Sequence, residues 1–316
     1  MRFYLRKAVG LVITVVLVSA IAFGVFQILP GNPAYIILGV DADPLQVEAL
    51  SKSMGLDKPI FERYLEWILN LFRGDLGISY RYQQPVNGLM WDALGVTGSL
   101  CLITMIFTVL IGIPVGVWLA RHSRKKYSVP VSMVSQISIS IPSFCMGIFL
   151  IHLFSVRLKW LPSIGYTSWK EGIFLWLRSL LLPALSIALG SASILIRYVR
   201  VSIAKEQKQD YVRTAYSKGL RAAKVMYGHI LRNSLIPVIT VLGMTTADIL
   251  GGSIIIENVF SIPGIGRLIS ASIMSRDLPL LQGLTLYLAL IVVLCNFAVD
   301  IIYSIVDPRI RLKQEK

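Results

Sequence analysis

The stretch TGSLCLITMIFTVLIGIPVGVWLA, residues 97–120, runs for 24 residues without a charged side chain. A transmembrane α-helix needs about 20 consecutive, predominantly apolar residues to cross the hydrocarbon core of a bilayer. This stretch therefore predicts a membrane span. Further apolar runs predict the other spans, at residues 8–29, 129–155, 180–200, 235–256 and 281–305. We expect an all-α integral membrane protein with six transmembrane helices.

The composition of the 316-residue chain agrees with this expectation. Hydrophobic residues make up 55% and charged residues 15%, with a mean hydropathy of +0.69. Soluble globular domains carry about 45–50% apolar and about 25% charged residues, so that class is excluded. The three cysteines and three histidines are scattered, without the spacing of a disulfide framework or a metal site. We expect no metal.

The first apolar run follows three basic residues and contains Ala20-Ile21-Ala22, so its start resembles a secretory signal peptide. The apolar residues continue as far as Leu29, which is too long for the apolar region of a signal peptide. We therefore expect a first span that stays in the protein.

The basic residues predict the orientation of the chain. The net charge of +14 would suggest a nucleic-acid partner in a soluble protein, but in a membrane protein it reports topology. With the N-terminus inside, 20 of the 31 basic residues and 4 of the 17 acidic residues fall on the cytoplasmic side. The positive-inside rule then places both termini in the cytoplasm. Two acidic residues, Asp248 and Asp300, fall within the predicted spans.

The predicted outer loop between spans one and two, residues 30–96, is long and contains helix signals. Asp43-Pro44 predicts an N-cap and first residue of a short helix to about Met54. A second helix is expected after Pro59, with apolar residues at helical spacing on one face, namely Ile60, Tyr64, Trp67, Ile68 and Leu71. The loop is either a small folded cap on the membrane or a docking surface for an outside partner.

No motif for covalent chemistry is present in the sequence. The chain has no G-x-x-x-x-G-K-[ST] phosphate-binding loop, no H-E-x-x-H and no G-x-S-x-G. Two S-x-x-K tetrads, at Ser123 and Ser202, lack the companion motifs of the enzymes that use them. We expect the protein not to be an enzyme.

The stretch DYVRTAYSKGLRAAKVMYGHILRNSLIP, residues 210–237, predicts two helices separated by a glycine. Asp210 is expected to cap the first helix, and Gly219 to end it. The second helix, from Leu220 to Leu231, has an apolar face and a basic face, and Pro237 is expected where the fifth span begins. This amphipathic helix either lies on the membrane surface or inserts into a groove of a cytosolic partner.

This loop resembles the "EAA" coupling loop of ABC importer permeases, in the dipeptide, oligopeptide and nickel branch. The glycine of the family motif falls on Gly219 and its later proline on Pro237, whereas Glu-Ala-Ala is replaced by Arg213-Thr214-Ala215. Other stretches resemble signatures of the same branch in the same order: ILPGNPA (28–34), RGDLGISYRYQQPV (73–86), SIPSF (140–144), LPAL (182–185), GGSIIIENVFSIPGIGRL (251–268), RDLPLLQG (276–283) and DPRIR (307–311).

The resemblance implies a type I ABC importer permease in the cytoplasmic (inner) membrane of a bacterium or archaeon. A second permease, more often a paralogue than an identical copy, would complete the translocation path, two cytosolic ABC ATPases would bind ATP and Mg²⁺, and an extracytoplasmic binding protein would deliver substrate. No cofactor is expected in this chain. The substrate would be short peptides; the alternatives are nickel or a metal chelate and, more distantly, ATP-independent secondary transport.

The resemblance also suggests three segments and a set of coupling residues. The segments are 1–29 with the first span, 30–96 outside, and a five-helix core at 97–316 that includes the coupling loop at 201–234. The residues expected to transmit ATPase closure to the spans are Asp210, Tyr211, Arg213, Thr214, Ala215, Gly219, Leu220 and Pro237.

Several residues inside the spans are candidates for packing or for the path. Small residues four apart allow close helix approach, within one subunit or between the two permeases: Gly112 and Gly116, then Gly243, Ala247 and Gly251. Asp248 is a carboxylate at membrane depth, which is costly. It is a candidate for lining the path and attracting a cationic group, such as a peptide amino terminus or a metal complex, or else it pairs with a buried donor. Pro142 predicts a kink in the third span, and Pro142 and the neighbouring Ser143 are two further candidates for the path.

Overall fold

The computed structural model describes residues 2–28, 33–39, 42–123 and 125–306. Within these ranges the secondary structure is helical, and the one β-type contact is an isolated bridge between Ile78 and Pro85. The helices are α1 (Arg2–Ile28), α2 (Pro33–Leu38), α3 (Pro44–Ser53), α4 (Ile60–Phe72), α5 (Val86–Arg121), α6 (Ser128–Ser140), α7 (Ser143–Leu150), α8 (Ile173–Glu206), α9 (Asp210–Ser217), α10 (Ala222–Val225), α11 (Leu231–Val259), α12 (Ile265–Met274) and α13 (Leu278–Val306).

Four helices in the described part of the chain are long and apolar enough to cross a membrane: Val86–Arg121, Ile173–Glu206, Ala222–Val259 and Leu278–Ala298. The pair α6 and α7 adds a fifth span if its two halves are taken as one. The first predicted span corresponds to α1, and the apolar stretch Val9–Gly24 lies within this helix. The all-helical membrane class is therefore confirmed, and the sixth span stays a prediction.

The third predicted span, 129–155, is broken and not merely kinked. Helix α6 ends at Ser140, α7 begins at Ser143, and the two directions differ by 112°. Pro142 has no N–H to continue the helix, and its ring disfavours helical backbone at Ile141, which is extended with ψ of 122°. The sequence expectation of one kinked helix is corrected to two helices, and α7 continues as a π-helical segment over Ile151–Arg157.

The chain forms two compact units. One contains residues 1–97 and 263–294, and the other contains residues 98–262 and 295–316. The start of the second unit lies next to the predicted start of the second span, while residues 263–294 group with the N-terminal segments.

The first unit has its core around the N-terminal end of α5, where Val86, Met90 and Ala93 pack with Ile265 of α12 and Leu284 of α13. The N-cap predicted at Asp43 is present, because its carboxylate accepts a hydrogen bond of 3.0 Å from the N–H of Leu45. Helix α4 packs against α1, through the rings of Tyr64 and Trp67 on Phe23.

The second unit is organised by α8, which packs against α6, α7 and α11. Many of its buried residues have small side chains, including Ser186, Ala188, Ala192 and Ser193, so neighbouring helices can approach its axis. At its far end, α8 leads through Gln207, Lys208 and Gln209 into the short helix α9.

Candidate coupling loop and membrane-span sites

Helix α9 is the first helix of the predicted coupling loop. Gln209 occupies its N-cap position, and Asp210 is already the first helical residue. The expected capping role of Asp210 is therefore wrong; its carbonyl accepts a hydrogen bond of 3.1 Å from the hydroxyl of Thr214. A carboxylate in the first turn still interacts favourably with the partial positive charge of the helix N-terminus.

Gly219 ends this helix as the sequence predicts. Its φ is +75°, a left-handed conformation that residues with a Cβ adopt at a cost. Its N–H donates to the carbonyl of Tyr216 at 2.9 Å, and the N–H of Leu220 donates to the carbonyl of Ala215 at 3.4 Å. These two bonds form a Schellman motif, which pairs carbonyl groups that the end of the helix would otherwise leave free.

The two faces of α9 have different surroundings. Val212 and Ala215 are buried in one hydrophobic core with residues of three longer helices, including Ile203 of α8. Arg213 and Thr214 are exposed on the other face, as is Tyr216 at 49%. One face of this helix thus packs on the spans, and the other is exposed.

Tyr211 links α9 to the end of α8. Its hydroxyl donates a hydrogen bond of 2.6 Å to Glu206 Oε2 at the end of that helix. Burial raises the pKa of the Tyr211 hydroxyl, and the bond to Glu206 raises it further. The hydroxyl therefore keeps its proton at neutral pH and remains a donor.

The expected second helix of the loop is the beginning of a long one. Residues Ala222–Val259 form a continuous helical stretch that includes a π-helical turn at Met226–Ile230. Pro237 lies inside α11, after its first turn. Nearby, the Ser202 hydroxyl on α8 donates a hydrogen bond of 2.9 Å to the carbonyl of Ser234 on α11.

The two predicted strips of small residues differ in what they contact. A Cβ on Gly112 would lie 2.6 Å from Leu195, and one on Gly116 would lie 2.7 Å from Val199, so α5 and α8 touch there. In the other strip Gly243 is buried, Ala247 is half-buried and Gly251 is exposed. A Cβ on Gly251 would meet no described atom within 4 Å, which leaves this end of the strip open.

Asp248 lies on the exposed side of α11, close to Gly251 in the sequence. Met244 at 62% and Ile255 at 50% are exposed on the same side. Asp248 forms no hydrogen bond or ion pair with another described residue. The buried pairing considered from the sequence is therefore absent from the part of the chain that the structure describes. The side chain of Asp300 lies outside the described residues.

The break at Pro142 lies at one end of a cleft that the sequence did not reveal. Pro142 is exposed and Ser143 is half-buried, and the cleft extends from Ser140 along α6 and α8 with a volume of about 650 Å³. Its polar lining consists of Ser132, Ser135, Gln136, Ser140, Ser193, Arg197 and Arg200. The available signal was the recurrence of polar residues every three or four positions in an apolar run.

Asp277 is a second feature that the sequence did not reveal. Its side chain is fully buried and accepts hydrogen bonds from the Ser79 hydroxyl and from the N–H groups of Tyr80 and Arg81. Two of the stretches that carry the family resemblance, 73–86 and 276–283, therefore meet at this carboxylate.

The fold and these features define a class, namely a helical membrane protein in which a short helix, α9, packs on the long helices with one face and is exposed on the other. Residues 112–312 match the family described as binding-protein-dependent transport system inner membrane component, and residues 1–101 match its N-terminal family. The chain belongs to this family. It is thus an inner-membrane component of an ABC transport system and not an enzyme.

Relatives at higher identity cover nearly the whole chain. A protein of Brucella abortus (strain 2308) named as a peptide transport system permease is 40% identical over 306 residues, covering 96% of this chain and 98% of its own length. Glutathione transport system permease protein GsiC of Escherichia coli (strain K12) is 35% identical over 314 residues, covering 99% of this chain and 100% of its own.

Solved structures show the same fold. The MetNI methionine ABC transporter, in an inward-facing conformation, aligns with a TM-score of 0.59 and 20% identity, covering 69% of this chain and 96% of that one. An amino acid ABC transporter in complex with histidines aligns with a TM-score of 0.51 and 17% identity, covering 71% and 94%. The importer permease fold expected from the sequence is confirmed.

Proposed function

We propose that this chain forms half of the translocation path of an ATP-driven importer of short peptides. A second, paralogous permease forms the other half, and an extracytoplasmic binding protein delivers the peptide. Two cytosolic ATPases bind ATP and Mg²⁺ and dock at the coupling loop, 201–234. Both termini then lie in the cytoplasm, as the distribution of basic residues supports.

The position of α9 is the observation that carries this proposal. Its buried residues Val212 and Ala215 belong to the same core as Val117 of α5 and Val199 of α8. Close-packed cores transmit displacement because they have few voids to absorb it. A rigid-body movement of α9 by an ATPase would therefore reach the spans, the kind of step by which packed elements switch between two arrangements.

The names of the relatives support peptides as the substrate class. Nickel or a metal chelate is the less favoured alternative, since none of these relatives is named for it. Asp248 suits a peptide path, because an exposed carboxylate on a membrane-spanning helix attracts an amino group. Pro142 and Ser143, at the end of the polar cleft, are the other path residues we propose.

The test is reconstitution of this chain with its partner permease, ATPases and binding protein in proteoliposomes. We expect uptake of labelled trialanine that requires ATP, and no competition by nickel. Arg213→Glu, on the exposed face of α9, should lower uptake and ATPase docking, while Lys125→Glu, exposed between α5 and α6, should change neither. ATP-independent uptake by this chain alone, or nickel uptake that trialanine does not inhibit, would contradict the proposal.

A further inference from the structure

The cleft between α6 and α8 is lined by two basic side chains and by no acidic one. Arg197 and Arg200 line it together with serine, glutamine and aliphatic side chains, and none of its lining residues is acidic. Neither arginine forms an ion pair with an acidic residue in the described part of the chain. Both arginines lie in the last three turns of the membrane-spanning helix α8, and basic groups without an acidic partner that line a cleft there mark a candidate site for an anion.

The arginines are arranged to accept an anion. Arg200 is half-buried, and its Nη1 donates a hydrogen bond of 3.2 Å to the Ser132 hydroxyl, which restrains the guanidinium group. Arg197 is exposed one helical turn away on α8. A guanidinium group presents a planar fork of donors that matches the two oxygens of a carboxylate. Gln136, which also lines the cleft, adds a neutral donor.

We infer that this cleft binds the carboxylate terminus of the transported peptide, with Arg197 and Arg200 as its ligands. The inference rests on the proposed peptide-import function and deepens it. A volume of about 650 Å³ lies within the range of about 300–1,000 Å³ typical of small-molecule sites. The aliphatic side chains of Ile139, Ile196 and Val201 line the same cleft and contact the apolar parts of the peptide.

The positions of the cleft and of Asp248 can be compared along the axes of α8 and α11. The hydrogen bond between Ser202 and Ser234 places these residues of α8 and α11 at the same level. At about 1.5 Å per residue, Arg197 lies about 7.5 Å beyond that level, away from the coupling helix, and Asp248 about 21 Å beyond it. Along the helix axes the cleft therefore lies closer to the coupling helix than Asp248 does.

The test uses the complete reconstituted complex and two probes, trialanine and trialanine amide. Arg197→Gln/Arg200→Gln should reduce uptake of trialanine about tenfold or more, because charge-assisted hydrogen bonds are lost. Uptake of the amide should change little, so that the ratio of acid to amide uptake falls relative to wild type. Lys125→Gln, an exposed cation between α5 and α6 that lies outside both the cleft and the coupling loop, should keep the wild-type ratio.

Two further measurements separate loss of the peptide contact from an assembly defect and from lipid binding. Co-purification of all subunits and ATPase activity stimulated by the binding protein verify that the variant assembles. Vesicles with and without phosphatidylglycerol distinguish a peptide carboxylate from a lipid phosphate. An effect of the double variant that depends on the anionic lipid and not on the peptide terminus would overturn the inference.

An unchanged ratio of acid to amide uptake, with peptide uptake intact, would overturn this inference alone. Absence of ATP-dependent peptide uptake by the wild-type complex would overturn the proposed function and this inference with it.

Discussion

The Ser79 hydroxyl donates a hydrogen bond of 2.5 Å to Oδ2 of Asp277, although 198 residues separate them in the chain. The backbone N–H groups of Tyr80 and Arg81 donate to the same carboxylate at 3.1 Å each. Asp277 thereby fixes the turn that precedes α5 against the residue just before α13. A buried carboxylate is stable only when it is compensated in this way.

Asp277→Asn should therefore destabilise the protein. An asparagine side chain removes the charge and directs an NH₂ group at donors, so at least one buried N–H or hydroxyl loses its acceptor, at a cost of about 2 kcal/mol or more. The apparent Tm of the purified complex in detergent measures this. Asp92→Asn, at an exposed position on α5, serves as the control, and equal Tm values for the two variants would contradict the role of Asp277.

Gly219→Pro should abolish transport while leaving the affinity for the binding protein unchanged. Proline fixes φ near −65°, whereas Gly219 has φ of +75°, and proline also removes the N–H that bonds Tyr216. Gly219→Ala should be milder, at about 1–2 kcal/mol, because its Cβ would meet no described atom.

Uptake and stimulated ATPase activity check this prediction. The control is Gly228→Ala, another open position but one without positive φ. Full activity of the Gly219→Pro variant would rule out a role for this turn in coupling.

Ala215→Leu should uncouple ATP hydrolysis from transport. Ala215 is 6% exposed within the core shared by α9 and the spans, so a larger side chain displaces α9 at a cost of about 1–3 kcal/mol. The measurement is the number of peptides imported per ATP hydrolysed. Ala223→Leu, at an exposed position on α10, should retain the wild-type number of peptides imported per ATP hydrolysed. A wild-type number for the Ala215→Leu variant as well would show that coupling does not depend on the packing of α9.

Gly116→Ala and Gly251→Val should fail in different ways. A Cβ on Gly116 would lie 2.7 Å from Val199 and 3.1 Å from the carbonyl of Ile196, so this variant should lower the stability of the chain itself. Gly251 faces open space, so Gly251→Val should leave the chain stable and weaken pairing with the partner permease.

Thermal stability of this chain and co-purification of the second permease separate the two effects. Wild-type pairing in the Gly251→Val variant would mean that this strip is not the contact between permeases.

Asp248→Asn should lower uptake of peptides with a free amino terminus more than uptake of N-acetylated peptides. The exposed carboxylate attracts the amino group electrostatically, and asparagine removes that attraction. Competition between trialanine and its N-acetyl form measures the selectivity. Asn258→Asp, at an exposed position near the end of the same helix, tests whether a change of charge elsewhere on the helix alters the same preference. An unchanged preference would reject Asp248 as a path residue.

Local signals were sufficient wherever a feature depends on neighbouring residues in the chain. The cap at Asp43 and the end of α9 at Gly219 were predicted because both depend on hydrogen bonds that span only a few residues. The apolar runs predicted membrane-spanning helices because in lipid a helix satisfies its own backbone groups. The same local reasoning failed at Asp210, because Gln209 occupies the N-cap position of α9.

The amino-acid order of this chain was enough to establish its class, its helices and the glycine that ends the coupling helix. Folding decided which distant residues meet: Asp277 with Ser79, Ala215 with the core of the spans, and Arg197 and Arg200 with the serines of α6. The reason is physical, since an isolated helix has no preference for what covers each of its faces. Packing between helices determines which glycines lie in contact with a neighbouring helix and which charged side chains line a cleft.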